Sequence, residues 1–305
     1  MPLERFDYDY LYGRKSDKVI ISVAITGALA NRYQNPGIPY TPEEMAEETY
    51  RAYNAGASIV HIHARERDGT PSIRPEMFKE ITEAIKAKCD IIINYSTGAV
   101  GIPREMRIEH IRQLKPDIGA LNMGSMNYSK YSTKRKDFVF KFVFENTMDD
   151  IMYFINVMNE VGTKPELECF DAGHIANSYP LLDMGLLKPP VHYSIILGVL
   201  GGAPPTPRML QTMVDILPPG SHWQVIGIGP VQWRLVAAAL AMGGDIRVGL
   251  EDNFYLGNGE MATSNGPLVE QAVRMARDVG REPATVEEAR EIIGLKTKEE
   301  KGDGQ

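Results

Sequence analysis

Eight short β-like runs, separated by longer segments of helical character, constrain this chain more than any single residue does. The runs are "KVIISVAIT" (18–26), "SIVHIHA" (58–64), "DIIINYS" (90–96), "IGALNM" (118–123), "ELECFD" (166–171), "VHYSIIL" (191–197), "HWQVIGI" (222–228) and "DIRVGLE" (245–251). Helical patterns fall at 41–57, 74–89, 103–116, 148–162, about 206–217 and about 230–243. The first helix announces its start, with Thr41 as N-cap, Pro42 at the first helical position and two Glu in the first turn. Such alternation predicts a parallel sheet with right-handed crossovers. Eight units within 305 residues predict an α/β fold closed into a (β/α)8 TIM barrel rather than an open sheet. "FVFKFVFEN" (138–146) falls outside the count and reads as an extra strand or hairpin in an insertion after the fourth strand. The whole chain is therefore expected to be one barrel domain. It would carry an N-terminal extension (about 1–17), extra C-terminal helices (about 265–295) and a charged tail, "KTKEEKGDGQ", expected to be disordered.

Composition narrows the function. The net charge is −7 with the signs interspersed, which argues against nucleic acid, whose binders carry a basic face. No apolar run approaches 18 residues, so no membrane span is expected. The opening "MPLERFDYDYLYGRK" is too polar for a signal peptide. Two cysteines, Cys89 and Cys169, are too few for a disulfide framework or a cysteine-rich zinc site, and they make the reducing cytoplasm the default location.

Polar residues at the C-terminal ends of the strands carry the functional signal, because barrel enzymes place their chemistry there. His61 and His63 lie two apart in an otherwise apolar run, so both imidazoles share one face of the strand. They are either two hydrogen-bonded interior histidines or a metal-binding pair, and a divalent ion such as zinc would satisfy both at once. In "IRVGLEDN" (246–253), Arg247, Gly249 and Glu251 form one face, with Gly249 expected to clear room for a ligand. An inward Arg and Glu form an interior ion pair or serve a metal. Glu251 could complete a His/His/Glu zinc site, and Asp252, held by Arg247, could act as a base. Asn94, Ser96 and Thr97 end the third strand, Asn122 and then Ser125 follow the fourth, and Glu166 and Glu168 share a face of the fifth.

These residues sit in blocks that resemble the β-keto acid cleavage enzymes. The blocks are "ITGA", "NPGIPYTPEEMAEE", "VHIHAR", "STGAVG", "GSMN", "PELECFDAGH", "GIGPVQ", "GGDIRVGLEDN" and "EAREIIGL", spread over about 18–295. The resemblance implies a zinc-dependent barrel that converts a β-keto acid and acetyl-CoA into acetoacetate and a new acyl-CoA. It implies His61, His63 and Glu251 as zinc ligands, Asp252 as base and Arg247 beside it. It puts Ser96, Thr97 and Ser125 near the substrate, with Glu168 as a supporting or substrate-contacting acid. Zinc would stabilise the enolate formed by proton removal. Arg247 would position Asp252 while also lowering its basicity, a conflict the sequence leaves open.

One position departs from the aminohexanoate-cleaving type, which carries a glutamate suited to a substrate ammonium where this chain has Leu29 after "ITGA". The substrate is therefore expected to lack an amine, or to present an apolar or differently charged tail. For the CoA phosphates, the candidates are the basic "SKYSTKRKD" (129–137) and the Gly-Gly of "GVLGGAPP" (198–205). The resemblance and the surplus segments also imply a homo-oligomer, a tetramer. Two other chemistries use similar parts. A metal-dependent aldolase polarises a ketone without acetyl-CoA. An amidohydrolase-like hydrolase uses a His-x-His pair, normally on the first strand, with further histidines, for which His174, His192 and His222 are candidates.

Overall fold

A computed structural model describes residues 18–295. The N-terminal extension and the charged tail read from the sequence lie outside the described residues. The eight barrel strands are β1 (Ile21–Ala24), β2 (Ile59–Ile62), β3 (Ile92–Ser96), β4 (Ile118–Asn122), β5 (Lys164–Cys169), β6 (His192–Leu197), β7 (His222–Gly227) and β8 (Asp245–Val248). Each pairs in parallel with the next, and β8 returns to β1, closing the (β/α)8 barrel. Seven of the eight fall within the runs read from the sequence; β5 overlaps its run but starts two residues earlier, at Lys164, and the eighth stops short, at Val248 instead of reaching residue 251.

Period-two alternation sorts the strand side chains. Val60, Ile62, Ile93, Leu121, Leu167, Val225 and Val248 join the main core with the surrounding helices. Facing the axis instead are polar groups, among them Asn94, Glu166, Ser194 and Gln224, which hydrogen-bond to one another across the barrel. The N-terminal end is sealed. There Ile20, Ile59, Ile92 and Ile118 pack with Ala289 of the final helix, Val286–Ile292, and with Ile293 at its C-terminal cap. Arg290 anchors that helix through a two-point ion pair with Asp117 (3.0 and 3.3 Å).

The helix Pro42–Ala55 starts as its sequence signals require: Thr41 and Glu44 form a complete capping box with Pro42 in the first turn. Between β5 and β6 the sequence reading had no helix. Two short ones stand there, Ala172–Ala176 and Ser178–Asp183, too brief and too broken by Gly173, Asn177 and Pro180 to give a helical period. Of the two closing helices read as extra, Asn265–Asp278 packs beside Pro42–Ala55 and against β1 and β8, and so completes the barrel's outer ring. Only Val286–Ile292 is additional, as the plug of the floor.

The insertion after β4 is a β-hairpin, Met126–Ser132 paired antiparallel with Asp137–Phe144. Its aromatic face lies over the mouth. Tyr128 stacks on Phe142 (5.4 Å between centroids, 6°) and meets Phe144 and Phe170 edge-on. These rings cluster with Ile196 of β6 and Ile226 of β7. Among the described residues, no helix is long and apolar enough to cross a membrane.

Candidate active site at the barrel mouth

β2 carries His61 into the barrel, and His63 follows just past the strand end. Their rings meet edge-on with centroids 5.2 Å apart, so the spacing of two does place both on one side. On the far side of β1, the chain turns sharply at Gly249, where φ is +137°. A Cβ there would lie 2.2 Å from the carbonyl oxygen of Ala24. The glycine thus makes room for the backbone of β1, and not for a ligand as its sequence position suggested. The turn lifts Glu251 and Asp252 out of the strand. The Glu251 N–H donates to Ala24 O (3.1 Å) and the Asp252 N–H to Gly249 O (3.1 Å).

This geometry brings Glu251 to the histidines. Its Oε1 lies 3.5 Å from His63 Nε2 and 3.8 Å from His61 Nε2. One ligand atom from each of the three residues falls within 4.8 Å of the others, the one such metal-capable group found among the described residues. His174, His192 and His222 do not join it. His174 Nδ1 instead accepts the Phe170 N–H (3.3 Å), and His192 sits beside Glu166 (3.8 Å).

Arg247 is the centre of the charge network. Its Nε and Nη2 donate to the two oxygens of Asp252, both at 2.9 Å, its Nη2 also to Glu251 (2.8 Å), and its Nη1 to Glu168 (3.4 Å). Burial pushes the Glu168 carboxyl up to about 8, against the pull of Arg247. Burial also opposes ionisation of Glu251, but the Arg247 guanidinium outweighs it and holds the carboxylate below its ordinary range. For Asp252 burial wins: the carboxyl is pushed up to about 6 although Arg247 pulls it down, with Glu251 adding to the rise. Burial, helped by Arg247, keeps His61 well below its usual range and hence neutral.

The donor set fits a divalent metal. Neutral imidazole and carboxylate are zinc ligands. Glu251 Oε2 is buried with no hydrogen-bond partner among the described residues, as an oxygen reserved for an ion would be. One guanidinium serves both Glu251 and Asp252, and a divalent cation would balance the negative charge it leaves over.

The other residues singled out in the sequence divide. Ser96 is buried and its hydroxyl accepts the Gly98 N–H (3.1 Å). The Thr97 hydroxyl donates to the Ala120 carbonyl (2.6 Å), so it fixes the strand end. Exposed Ser125 accepts the Asn146 N–H (2.8 Å) at the base of the hairpin. Leu29 is 57% exposed, on the loop after β1. That loop flanks the site, since a Cβ on Gly27 would lie 2.6 Å from Glu251 Cγ. Two residues escaped the sequence reading. Buried Arg65 donates to the carbonyls of Gly27, Ala30 and Gly69, each at 2.6 Å, and so holds the loop in place. The only signal for it was a cation closing the apolar "HIHA" run. Tyr128 faces the acids: burial, then Glu251, Asp252 and Glu168, push its phenol up to about 12. Nothing in the sequence marked it, because the hairpin's fold-back is a tertiary event.

Known proteins resemble the chain throughout. It is 43% identical over 282 residues to the 3-keto-5-aminohexanoate cleavage enzyme of Fusobacterium nucleatum subsp. nucleatum, covering 92% of this chain and 99% of that one. It is 34% identical over 300 residues to the 3,5-dioxohexanoate:acetyl-CoA acetone transferase of Paraburkholderia graminis, covering 92% and 96%. In fold it is similar to the apo structure of ObcA, with a TM-score of 0.73 at 22% identity over 85% of this chain and 66% of that one. The model of the beta-keto acid cleavage enzymes (BKACE) matches residues 18–295, the full described length, and the chain belongs to that family.

Proposed function

We propose that this enzyme is a zinc-dependent transferase that condenses a β-keto acid with acetyl-CoA and releases acetoacetate and a new acyl-CoA. The observation that carries the reading is the convergence of His61, His63 and Glu251 beside an Arg247-held Asp252. The names of two relatives, an acetone transferase and a 3-oxoadipate acetyltransferase, both include acetyl-CoA, which supports it as co-substrate here. An aldolase acting without CoA has no such support. Against a hydrolase of the amidohydrolase kind, no further histidine joins His61 and His63 in a metal-capable group among the described residues. The two cysteines are free and buried, in keeping with a reducing cytoplasm.

A zinc ion held by His61, His63 and Glu251 would supply Lewis-acid polarisation of the keto oxygen. Asp252 takes the proton from the carbon α to the ketone. Its burial answers the conflict posed by Arg247: desolvation raises basicity more than the guanidinium lowers it, while the two-point contact fixes the carboxylate's orientation. The carbanion attacks the thioester of acetyl-CoA. Transfer of CoA to the former ketone carbon and a retro-Claisen step then release acetoacetate. Ser96 and Ser125 serve the substrate carboxylate or carbonyl, Thr97 keeps the Ser96 strand end in place, and Glu168 acts through Arg247. Leu29 offers no charge to a substrate ammonium, so the preferred tail is apolar or differently charged.

The test is acetoacetate release from a panel of β-keto acids, with and without acetyl-CoA. Release independent of CoA would reject the reading. Metal analysis of protein purified without chelator is expected to find one zinc per chain, and the His61→Ala, His63→Ala double variant is expected to lose it. Full zinc retention by the double variant would remove these ligands from the assignment. The assembly we propose is a homotetramer, to be checked by light scattering, where a monomer at micromolar concentration would contradict it.

A further inference from the structure

Beneath the three candidate ligands lies a polar network that the chemistry above does not use. Asn94 stands directly opposite His61 in the β2–β3 register. Its Nδ2 donates to Glu166 Oε2 (2.6 Å). Glu166 has no exposed surface, and its other oxygen accepts from Ser194 Oγ (2.7 Å) and Gln224 Nε2 (3.3 Å). Two atoms at the upper end of this chain are buried and without a hydrogen-bond partner among the described residues: His61 Nδ1 and Asn94 Oδ1. Orphaned buried polar atoms are uncommon and call for an explanation.

Their chemistry is complementary. His61 turns Nε2 toward Glu251, so a metal bound there leaves the ring proton on Nδ1. That N–H needs an acceptor in a place water does not reach. Asn94 Oδ1 is an acceptor lacking a donor, on the neighbouring strand at the same level. The amide cannot turn over to offer its nitrogen instead, because Nδ2 is committed to Glu166. A histidine that binds metal commonly donates its second ring N–H to such a group, which fixes the tautomer and strengthens the ligand.

We infer that Asn94 and Glu166 are positioning residues of the metal centre: Glu166 orients the Asn94 amide so that its oxygen receives the His61 Nδ1 proton and holds Nε2 free for zinc. The inference rests on the reading of His61, His63 and Glu251 as zinc ligands. Ser194 and Gln224 hold Glu166 in turn, so the network reaches from β2 across the axis to β7.

Zinc affinity, measured by competition with a chromophoric chelator, tests it separately from turnover. Asn94→Leu removes the acceptor and is expected to weaken zinc about 10–100-fold, the usual effect of losing a partner behind a metal ligand. Glu166→Gln keeps the shape but removes the charge that orients the amide, and is expected to act in the same direction by less. Circular dichroism establishes that each variant is folded, and the isosteric Glu166→Gln stands in should Asn94→Leu fail to fold. A role in packing alone would lower the melting temperature of the metal-free variants and leave the affinity of the folded protein unchanged. Wild-type affinity in the folded variants therefore overturns the inference. Absence of zinc binding by the wild-type chain overturns the ligand reading itself.

Discussion

Replacing Asp252 with Asn is expected to cut turnover about 10²–10⁴-fold, the usual effect of losing a general base, while leaving bound zinc unchanged. Asp252 and Glu251 are adjacent, yet they face different partners. Glu251 reaches the two imidazoles. Asp252 spends both oxygens on the guanidinium edge of Arg247 and contributes no atom to the metal-capable group. An amide at position 252 preserves shape and one acceptor but takes up no proton, so added zinc should not restore activity. Glu251→Gln should do the opposite, with zinc affinity falling and activity recovering in part when zinc is in excess. Zinc content and kcat measured on both variants decide the matter. Loss of zinc from Asp252→Asn with retention in Glu251→Gln would reverse the two roles.

Arg247→Met is expected to be the most damaging single change to stability, at about 3–5 kcal/mol, because it strips the cation from buried carboxylates. Arg247 is itself 3% exposed and faces Glu168, Glu251 and Asp252. The loss should depend on pH. Glu168 is raised to about 8 in the fold against an ordinary value of 4.5, so it binds its proton more tightly when folded than when unfolded. Its contribution is fully present below 4.5 and lost as pH rises through 8. Without Arg247 the folded value rises further, so urea denaturation should find a larger defect at pH 8 than at pH 5. An equal defect at both would mean that the carboxylates are not the cause. Arg247→Lys keeps the charge but loses the planar two-point grip on Asp252. It should behave as a milder Asp252 variant, with turnover falling more than stability.

The architecture was legible because period-two and helical patterns alternate cleanly, and the eight strands lie where apolar runs stand. The hidden parts have physical causes. The β5–β6 connection is two helices of five and six residues, shorter than any window that reveals a helical period. At Gly249 the run "VGLE" reads as strand, and only the approach of Ala24 from a strand more than 200 residues earlier explains why the chain must turn there. In the candidate site, His61, His63, Arg247 and Glu251 could be picked out because polar groups facing into a barrel are rare, and Asp252 because it follows at the strand end. Thr97 looked like a binding hydroxyl, but its proton goes to the Ala120 carbonyl. Tyr128 and Arg65 owe their places to the hairpin and to the loop after β1, and such long-range packing leaves no local pattern.

The sealed floor of the barrel also governs when the fold can be completed during synthesis. Ile20, Ile59, Ile92 and Ile118 belong to the first four strands or their margins, whereas the side chains that cover them, Ala289 and Ile293, come after the eighth. The pairing of Lys18 with Glu282 joins the same two regions of the chain. A nascent chain with every barrel strand already outside the ribosome still has an open, isoleucine-lined base. Contacts so distant in sequence form slowly, and unfinished apolar surface invites association with other chains. The barrel therefore stays vulnerable until the last turn of its plug has emerged.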